Sequence, residues 1–569
     1  MNLQEYLLNH SKSNRVSFHM PGHKGLGIFN MYGYGELMKN LVNMDITEIS
    51  GADNLHKPKG VIKNLEDKYA ELYGAKKTFL LIDGSTAGIL ASIMACVPTG
   101  KKILAARNCH KSVYSGTVLT KCVPTYVMPK HDKTSHVMGE ITAEDVRRIL
   151  EGDFRDKDEI YAVILASPNY YGICSNVEEI AEVVHRYGKV LIVDQAHGAH
   201  LKFFEKNGYV DDLKKDSVGE RNIERGDRNY RYLTYPRSAE SSGADIVINS
   251  THKTLSSFTQ SAVLNVMTDR VDERNIFDKL QLIQSTSPSY ILMLSLDINA
   301  DIIEKHGDEV FENWKNNVKR FYEQMAKIPE VTVVEDENLD WTKINLSLEK
   351  MGIDGGTFEK LLTDRGIDVE LAAGNIVMAL TGIGNSLEDY DKLLDAVKDI
   401  VWSIKERRKS NLRENVDCNS RESSVCDMDI RRRRSEIDAD ERKETCGDEN
   451  STSDEQLNKT GCKGDESMIK FSVEDSDCIS VDKGFSIPKP GEYIGQEGES
   501  AEVYLRDSMG CISKDAIIPY PPGIPFVCPG EIITEECVKR LLQLMGENKD
   551  IFGISREGKI RIIIGEDKQ

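Results

Sequence analysis

At 569 residues the chain is too long for one ordinary core, so two or three folded units with room for an enzyme-sized site are expected. A formal net charge of -20 argues against a surface that tracks nucleic-acid phosphates and for a soluble protein whose charged partners are cationic. No run approaches the roughly 20 apolar residues of a membrane helix, and the start MNLQEYLLNHSKSNR has no signal-peptide core, which points to the cytoplasm.

Residues 1–60 read as an N-terminal segment with two unusual strings, SFHMPGHKG (17–25) and DITEISGADNLHKPKGVI (45–62). From 61 to 275 one rhythm repeats: a short apolar run, a polar turn, then a helix-like stretch. The runs fall at 78–82, 102–106, 161–166, 190–193, 245–248 and 261–266. Continuous rather than alternating apolar runs fit strands covered on both faces, and so a mostly parallel sheet, an α/β architecture. The turns after them are GST (84–86), RNCHKS (107–112), SPNYYG (167–172), DQAHGAH (194–200) and STHK (250–253). In an open parallel sheet the ligand crevice lies beyond the carboxyl ends of the strands, where these turns converge. A charged, aperiodic excursion at about 205–242 interrupts the pattern.

Residues 276–404 read as a smaller domain. The stretch 405–495, with RRRR at 431–434 among acidic, Ser-rich text, has too few apolar residues to offset its ordering entropy and reads as a disordered insert. Structure resumes at 496–569, with a helix at 535–545 and a strand at 560–564. Twelve cysteines include no CxxC pair, so reduced thiols are expected, with neither disulfides nor metal.

Chemistry concentrates at STHKTL. A lysine at a strand end is explained when its amine condenses with an aldehyde cofactor, which makes Lys253 the candidate attachment point for pyridoxal phosphate. Asp194 supplies the carboxylate that keeps a pyridine nitrogen protonated. Ser85 and Thr86, at a helix N-terminus, suit a phosphate. His110 is placed to stack on the ring, and Ala196 is small enough to leave its other face flat. His197 and His200 read as packing beside the cofactor or as core residues rather than as metal ligands.

These strings, with STSPSY (285–290) and PYPPGIPFVCPGE (519–531), resemble the bacterial ornithine/lysine/arginine decarboxylases, over 15–400 and 497–569. The resemblance implies an aspartate-aminotransferase-like fold with a seven-stranded, mostly parallel sheet and a small α+β C-terminal domain. It also implies that Ser250 and His252 join Ser85 and Thr86 around the phosphate. A second subunit completes the site in this family, bringing Ser285 and Thr286, so a homodimer or larger homo-oligomer is expected. Three departures stand out: the long path from Asp194 to Lys253, Asn169 where the family-like turn carries threonine, and the 405–495 insert, which is foreign to the pattern.

The function expected is decarboxylation of a basic amino acid, arginine to agmatine first, then lysine, then ornithine, as a step in polyamine synthesis. His252 or Lys253 returns the proton. The cationic end of the substrate needs acceptors, for which Glu531 and Asp53 are the candidates. Aminotransfer on the same fold and a cofactor-binding relative without turnover are the rival readings.

Overall fold

The computed structural model describes residues 1–130, 137–152, 159–206, 234–433, 487–520, 523–546 and 549–564. The apolar runs become strands because their Val, Ile, Leu and Ala side chains are covered from both sides. With the edge strand they form β1 (Lys77–Leu81), β2 (Lys102–Ala106), β3 (Val123–Val127), β4 (Ile160–Ala166), β5 (Val190–Asp194), β6 (Ile246–Asn249) and β7 (Ala262–Val266). They pair in the order β1-β7-β6-β5-β4-β2-β3. The run from β6 to β3 is parallel, while β7 is antiparallel to both its neighbours. The expected mostly parallel sheet is therefore present. Its seventh strand, β3, escaped the apolar count because Pro124 interrupts it, and an edge strand tolerates that missing donor.

Helices Gly84–Cys96, Lys111–Thr120, Val177–Arg186 and Glu273–Ile283 accompany the sheet. Of the charged excursion, 207–233 lies outside the described residues. Its returning end is pinned by Glu240, a buried carboxylate that accepts from Gln195 Nε2 at 2.8 Å, Asn249 Nδ2 at 2.6 Å and Asn265 Nδ2 at 3.2 Å. One side chain thus ties together the ends of β5 and β6, the strands that carry Asp194 and Lys253.

Beyond the sheet, helix Tyr290–Met325 leads to a four-stranded antiparallel sheet built from 332–333, 343–347, 371–373 and 376–380. Strand Val16–Phe18 pairs in parallel with Ile367–Val369. The following PGHKG string lies against the lysine turn: Gly22 N–H donates to the His252 carbonyl at 2.7 Å, and Ile383 N–H to that of Thr254 at 2.9 Å. A Cβ on Gly22 would overlap the carbonyls of Thr254 and Leu255, so the close approach requires glycine.

Described residues up to Ala396 and from 487 onward form one compact unit, and those from Val397 belong to a second. Helix Leu387–Arg433 runs into the stretch expected to be disordered from 405, so that stretch begins as helix; 434–486 lies outside the described residues. At the C-terminus, Glu499–Tyr504 pairs with Lys559–Ile564 and Ile518–Tyr520 with Asp550–Phe552, beside helix Glu535–Gly546.

Replacing Gly22 by alanine forces its strand of backbone off the lysine turn. Overpacking of this kind costs about 1–3 kcal/mol. A lowered thermal midpoint by circular dichroism is the expected outcome; an unchanged midpoint would mean that the turn yields freely.

Candidate active site

The strand order decides which turns meet. Asp194 ends β5, and the lysine turn follows the adjacent β6 as the one-turn helix Thr251–Thr254, headed by Ser250. Lys253 Nζ lies 2.9 Å from Nε2 of His197, three residues beyond Asp194. Burial lowers the pKa of Lys253 below that of an ordinary lysine; Asp194 and Glu370 pull the other way and Lys343 adds to the lowering. The result is an amine shifted toward its neutral, nucleophilic form relative to a surface lysine.

Asp194 is only 5% exposed, and its Oδ1 accepts the backbone N–H of Ala196 at 3.1 Å. Among the described residues no Lys, Arg or His forms a direct ion pair with it. Burial pushes its carboxyl pKa up, with Lys253 and the Ala196 N–H opposing. A buried carboxylate without a direct cation, beside a buried amine, fits a protonated pyridine nitrogen and an aldehyde. The donor set therefore suits pyridoxal phosphate. Two further features agree with it. Nδ1 of His197 is buried without a partner. Helix Gly84–Cys96 starts without a side-chain cap, so N–H groups of its first turn are available to an anion beside Ser85 and Thr86.

The imidazoles around the amine are neutral. His110 caps helix Lys111–Thr120 and its Nδ1 sits 2.9 Å from the Ser112 hydroxyl; burial, with Lys253 and Lys111, pushes its pKa down to about 3. His252 turns its Nδ1 to the Ser261 carbonyl at 2.8 Å, and burial lowers it to about 4. His23, from the PGHKG string, is lowered by burial to about 4 and packs against Phe29 and Phe258. A neutral ring over the cofactor can stack without placing a charge on it.

Other sequence candidates sit elsewhere. Ser285 and Thr286 are exposed, and the Ser285 N–H donates to Asp83 at 3.3 Å, next to Gly84. Glu531 and Asp53, the two acids read as substrate ligands, are both engaged by the scaffold. Glu531 is fully buried, 3.4 Å from Arg107 and accepting the Cys528 N–H at 2.7 Å. Arg107 also donates to the carbonyls of Pro525 at 2.6 Å and Phe526 at 3.0 Å, clamping the C-terminal segment onto the end of β2. Asp53 accepts the backbone N–H groups of Lys59, Gly60, Ile62 and Lys63 at the start of helix Val61–Tyr73, which is capping work.

Sequence reading missed Glu370. It is buried, accepts from the Tyr170 hydroxyl at 2.9 Å and the Met20 N–H at 3.0 Å, and has His19 Nδ1 at 3.6 Å. The Tyr170 ring stands edge-on to His197 with centroids 4.9 Å apart. The sequence around Glu370, DVELAA, holds two acids in short apolar text and does not tell them apart. Asn169, the departure from the family-like turn, has a structural role. Its amide donates to the Met138 and Gly139 carbonyls and its oxygen accepts from Tyr171 and Ile173 N–H, bonds a threonine could not all make.

A family model described as Orn/Lys/Arg decarboxylase, major domain, matches residues 2–223 and 234–343, and the C-terminal domain model of the same family matches 490–557. The arginine decarboxylase of Bacillus subtilis (strain 168) is 26% identical over 560 residues, covering 96% of this chain and 94% of that protein. That of Bacillus anthracis is 26% identical over 543 residues, covering 93% and 90%. The lysine decarboxylase LdcF of Francisella novicida superposes with a TM-score of 0.65 at 19% identity, over 98% of this chain and 80% of its own, a likeness of fold.

Three histidines, His252 buried and His23 and His110 partly buried, set an acid dependence. An unfolded chain protonates them near 6.5, the folded one only at about 4 or below. Between those values the unfolded state binds more protons, so their contribution is whole above 6.5 and is lost as pH falls toward 4. The urea midpoint is therefore expected to be lower at pH about 5 than at pH about 7, with ring-proton NMR showing these imidazoles neutral at both.

Proposed function

The chain belongs to the Orn/Lys/Arg decarboxylase family, and we propose that within it this enzyme converts arginine to agmatine and carbon dioxide. It is a pyridoxal-phosphate-dependent decarboxylase of basic amino acids. The observation that carries the chemistry is the half-buried Lys253 amine against His197, next to a buried carboxylate that lacks a direct cationic partner among the described residues. Arginine is favoured because the match to the Bacillus arginine decarboxylases runs over almost the whole of both chains.

When bound, the cofactor supplies an electrophilic carbon for the substrate amine and a protonated ring that accepts the electron pair left by departing carbon dioxide. Lys253 holds it covalently and yields to the incoming amine. Asp194 keeps the ring nitrogen protonated. The first turn of helix Gly84–Cys96, with Ser85, Thr86, Ser250 and His252, holds the phosphate, and His110 covers the ring. Of the two proton donors considered, Lys253 is favoured for returning a proton to the α-carbon, because His252 commits its Nδ1 to the Ser261 carbonyl.

The basic end of the substrate is assigned to Glu370. Apart from Asp194, it is the carboxylate whose field reaches Lys253; its two hydrogen bonds come from neutral donors, and His19 Nδ1 at 3.6 Å and Lys24 are the other groups that feel its charge. We further infer a cytoplasmic homodimer feeding polyamine synthesis, with Ser285 and Thr286 reaching the phosphate across the interface. Exposed Leu26, Met31, Val42, Val61 and Leu282, each more than half accessible, support a covered surface.

Purified protein given arginine, lysine and ornithine is expected to release carbon dioxide fastest from arginine; preference for lysine would overturn the substrate. Borohydride reduction followed by peptide mass spectrometry is expected to place a pyridoxyl group on Lys253. Glu370→Gln is expected to raise the KM for arginine about tenfold or more, the worth of one charge-assisted hydrogen bond, with a smaller fall in kcat. An equal loss in kcat at unchanged KM would remove Glu370 from recognition.

A further inference from the structure

Behind the contact between Lys253 and His197 lies a second ionic cluster. Lys343, Asp340 and His200 are each 0% exposed. The Lys343 ammonium donates to Asp340 Oδ2 at 2.5 Å and to the backbone carbonyl of His197 at 2.5 Å. Nε2 of His200 lies 3.1 Å from Asp340 Oδ2, and its Nδ1 lies 3.2 Å from the Thr254 hydroxyl. Burial works against the charge on Asp340, but Lys343 and His200 outweigh it and hold the carboxyl well below its usual range. With Asp340 ionised, His200 donates from Nε2 and accepts the Thr254 proton at Nδ1.

The cluster therefore grips both arms of the site. One arm is the His197 backbone; the other is Thr254, the residue after Lys253. It joins them to the start of strand Lys343–Ser347, far away in sequence.

We propose that Lys343, locked by Asp340, is a positioning residue that fixes His197 against the Lys253 amine. This rests on Lys253 being the cofactor lysine. Burying an ammonium is costly, and a scaffold needing only packing would fill the space with an apolar side chain at no loss of stability. A lysine there does something methionine could not: it anchors a carbonyl and puts a fixed positive charge behind the imidazole. The groups facing Lys253 are Asp194 from the end of β5, Glu370 before strand Leu371–Ala373, the rings of His197, His110 and His252, and Lys343. The two carboxylates favour the charged amine. Burial opposes it most strongly, and the fixed charge of Lys343 adds to that lowering.

The test follows the pH dependence of Lys253 acylation in the full-length, cofactor-free protein by competitive labelling and mass spectrometry. Lys343→Met is expected to move the Lys253 midpoint up by about one pH unit, because the opposing charge is gone. The same upward shift is expected in the pH midpoint of the visible band of the pyridoxal phosphate-loaded protein. Because the single change strands Asp340 in the interior, Lys343→Met is also combined with Asp340→Asn, which leaves neither charge of the pair. A folded double variant whose Lys253 titrates like the wild type would overturn the proposal and reduce the cluster to packing. Borohydride trapping on a different lysine defeats the functional reading instead, and leaves the labelling result to decide the Lys253–His197 contact.

Discussion

Holding a primary amine out of water beside a buried carboxylate sets most of the other requirements of this protein. Left alone, Lys253 and Asp194 would neutralise each other by proton transfer or draw in solvent. Both are prevented by position: the amine meets the neutral Nε2 of His197, and the carboxylate turns to a backbone N–H. Each is therefore left with unfinished valence toward the same space. A cofactor that is an aldehyde at one end of a ring and a basic nitrogen at the other answers both needs at once.

Keeping those groups apart takes rigid supports from distant stretches of chain. Glu240 joins the ends of β5 and β6 through Gln195 and Asn249. Gly22 and Ile383 hydrogen-bond the carbonyls of the lysine turn from the N-terminal segment and from the smaller antiparallel sheet. Lys343 and His200 hold the same two arms from below. On the other flank Arg107 draws the C-terminal segment against β2, and a Cβ added at Gly523 would reach van der Waals contact with the His110 ring. Several of these supports are buried charges, which add little net stability but fail badly when one partner is removed. Precision in the site is thus bought with a core that is sensitive to acid and to single substitutions.

How much of this was legible depends on the range of the interaction. The strands and the turns at their ends could be read because a strand covered on both faces must be apolar along its length and the residue after it faces the crevice. That pattern put Lys253, Asp194 and His110 at strand-end turns; the chemistry of an aldehyde cofactor singled them out there. Glu531 and Asp53 were misread as to partner, since an acid at a helix start looks the same whether it faces a substrate, an arginine 424 residues away or a row of backbone N–H groups. Glu370, Lys343 and Asp340 gave almost no signal, because a charged residue in the text does not reveal what it pairs with.

What the sequence determined by itself was the sheet, the order of its turns and the chemical kinds gathered at them, because these depend on local pattern and on the geometry of parallel strands. Only the tertiary structure decided which carboxylates remain free and which are neutralised, and therefore where charge is left over for a ligand. That allocation is made by contacts between segments far apart in the chain, and electrostatic energy in a buried site depends on those distances rather than on residue type.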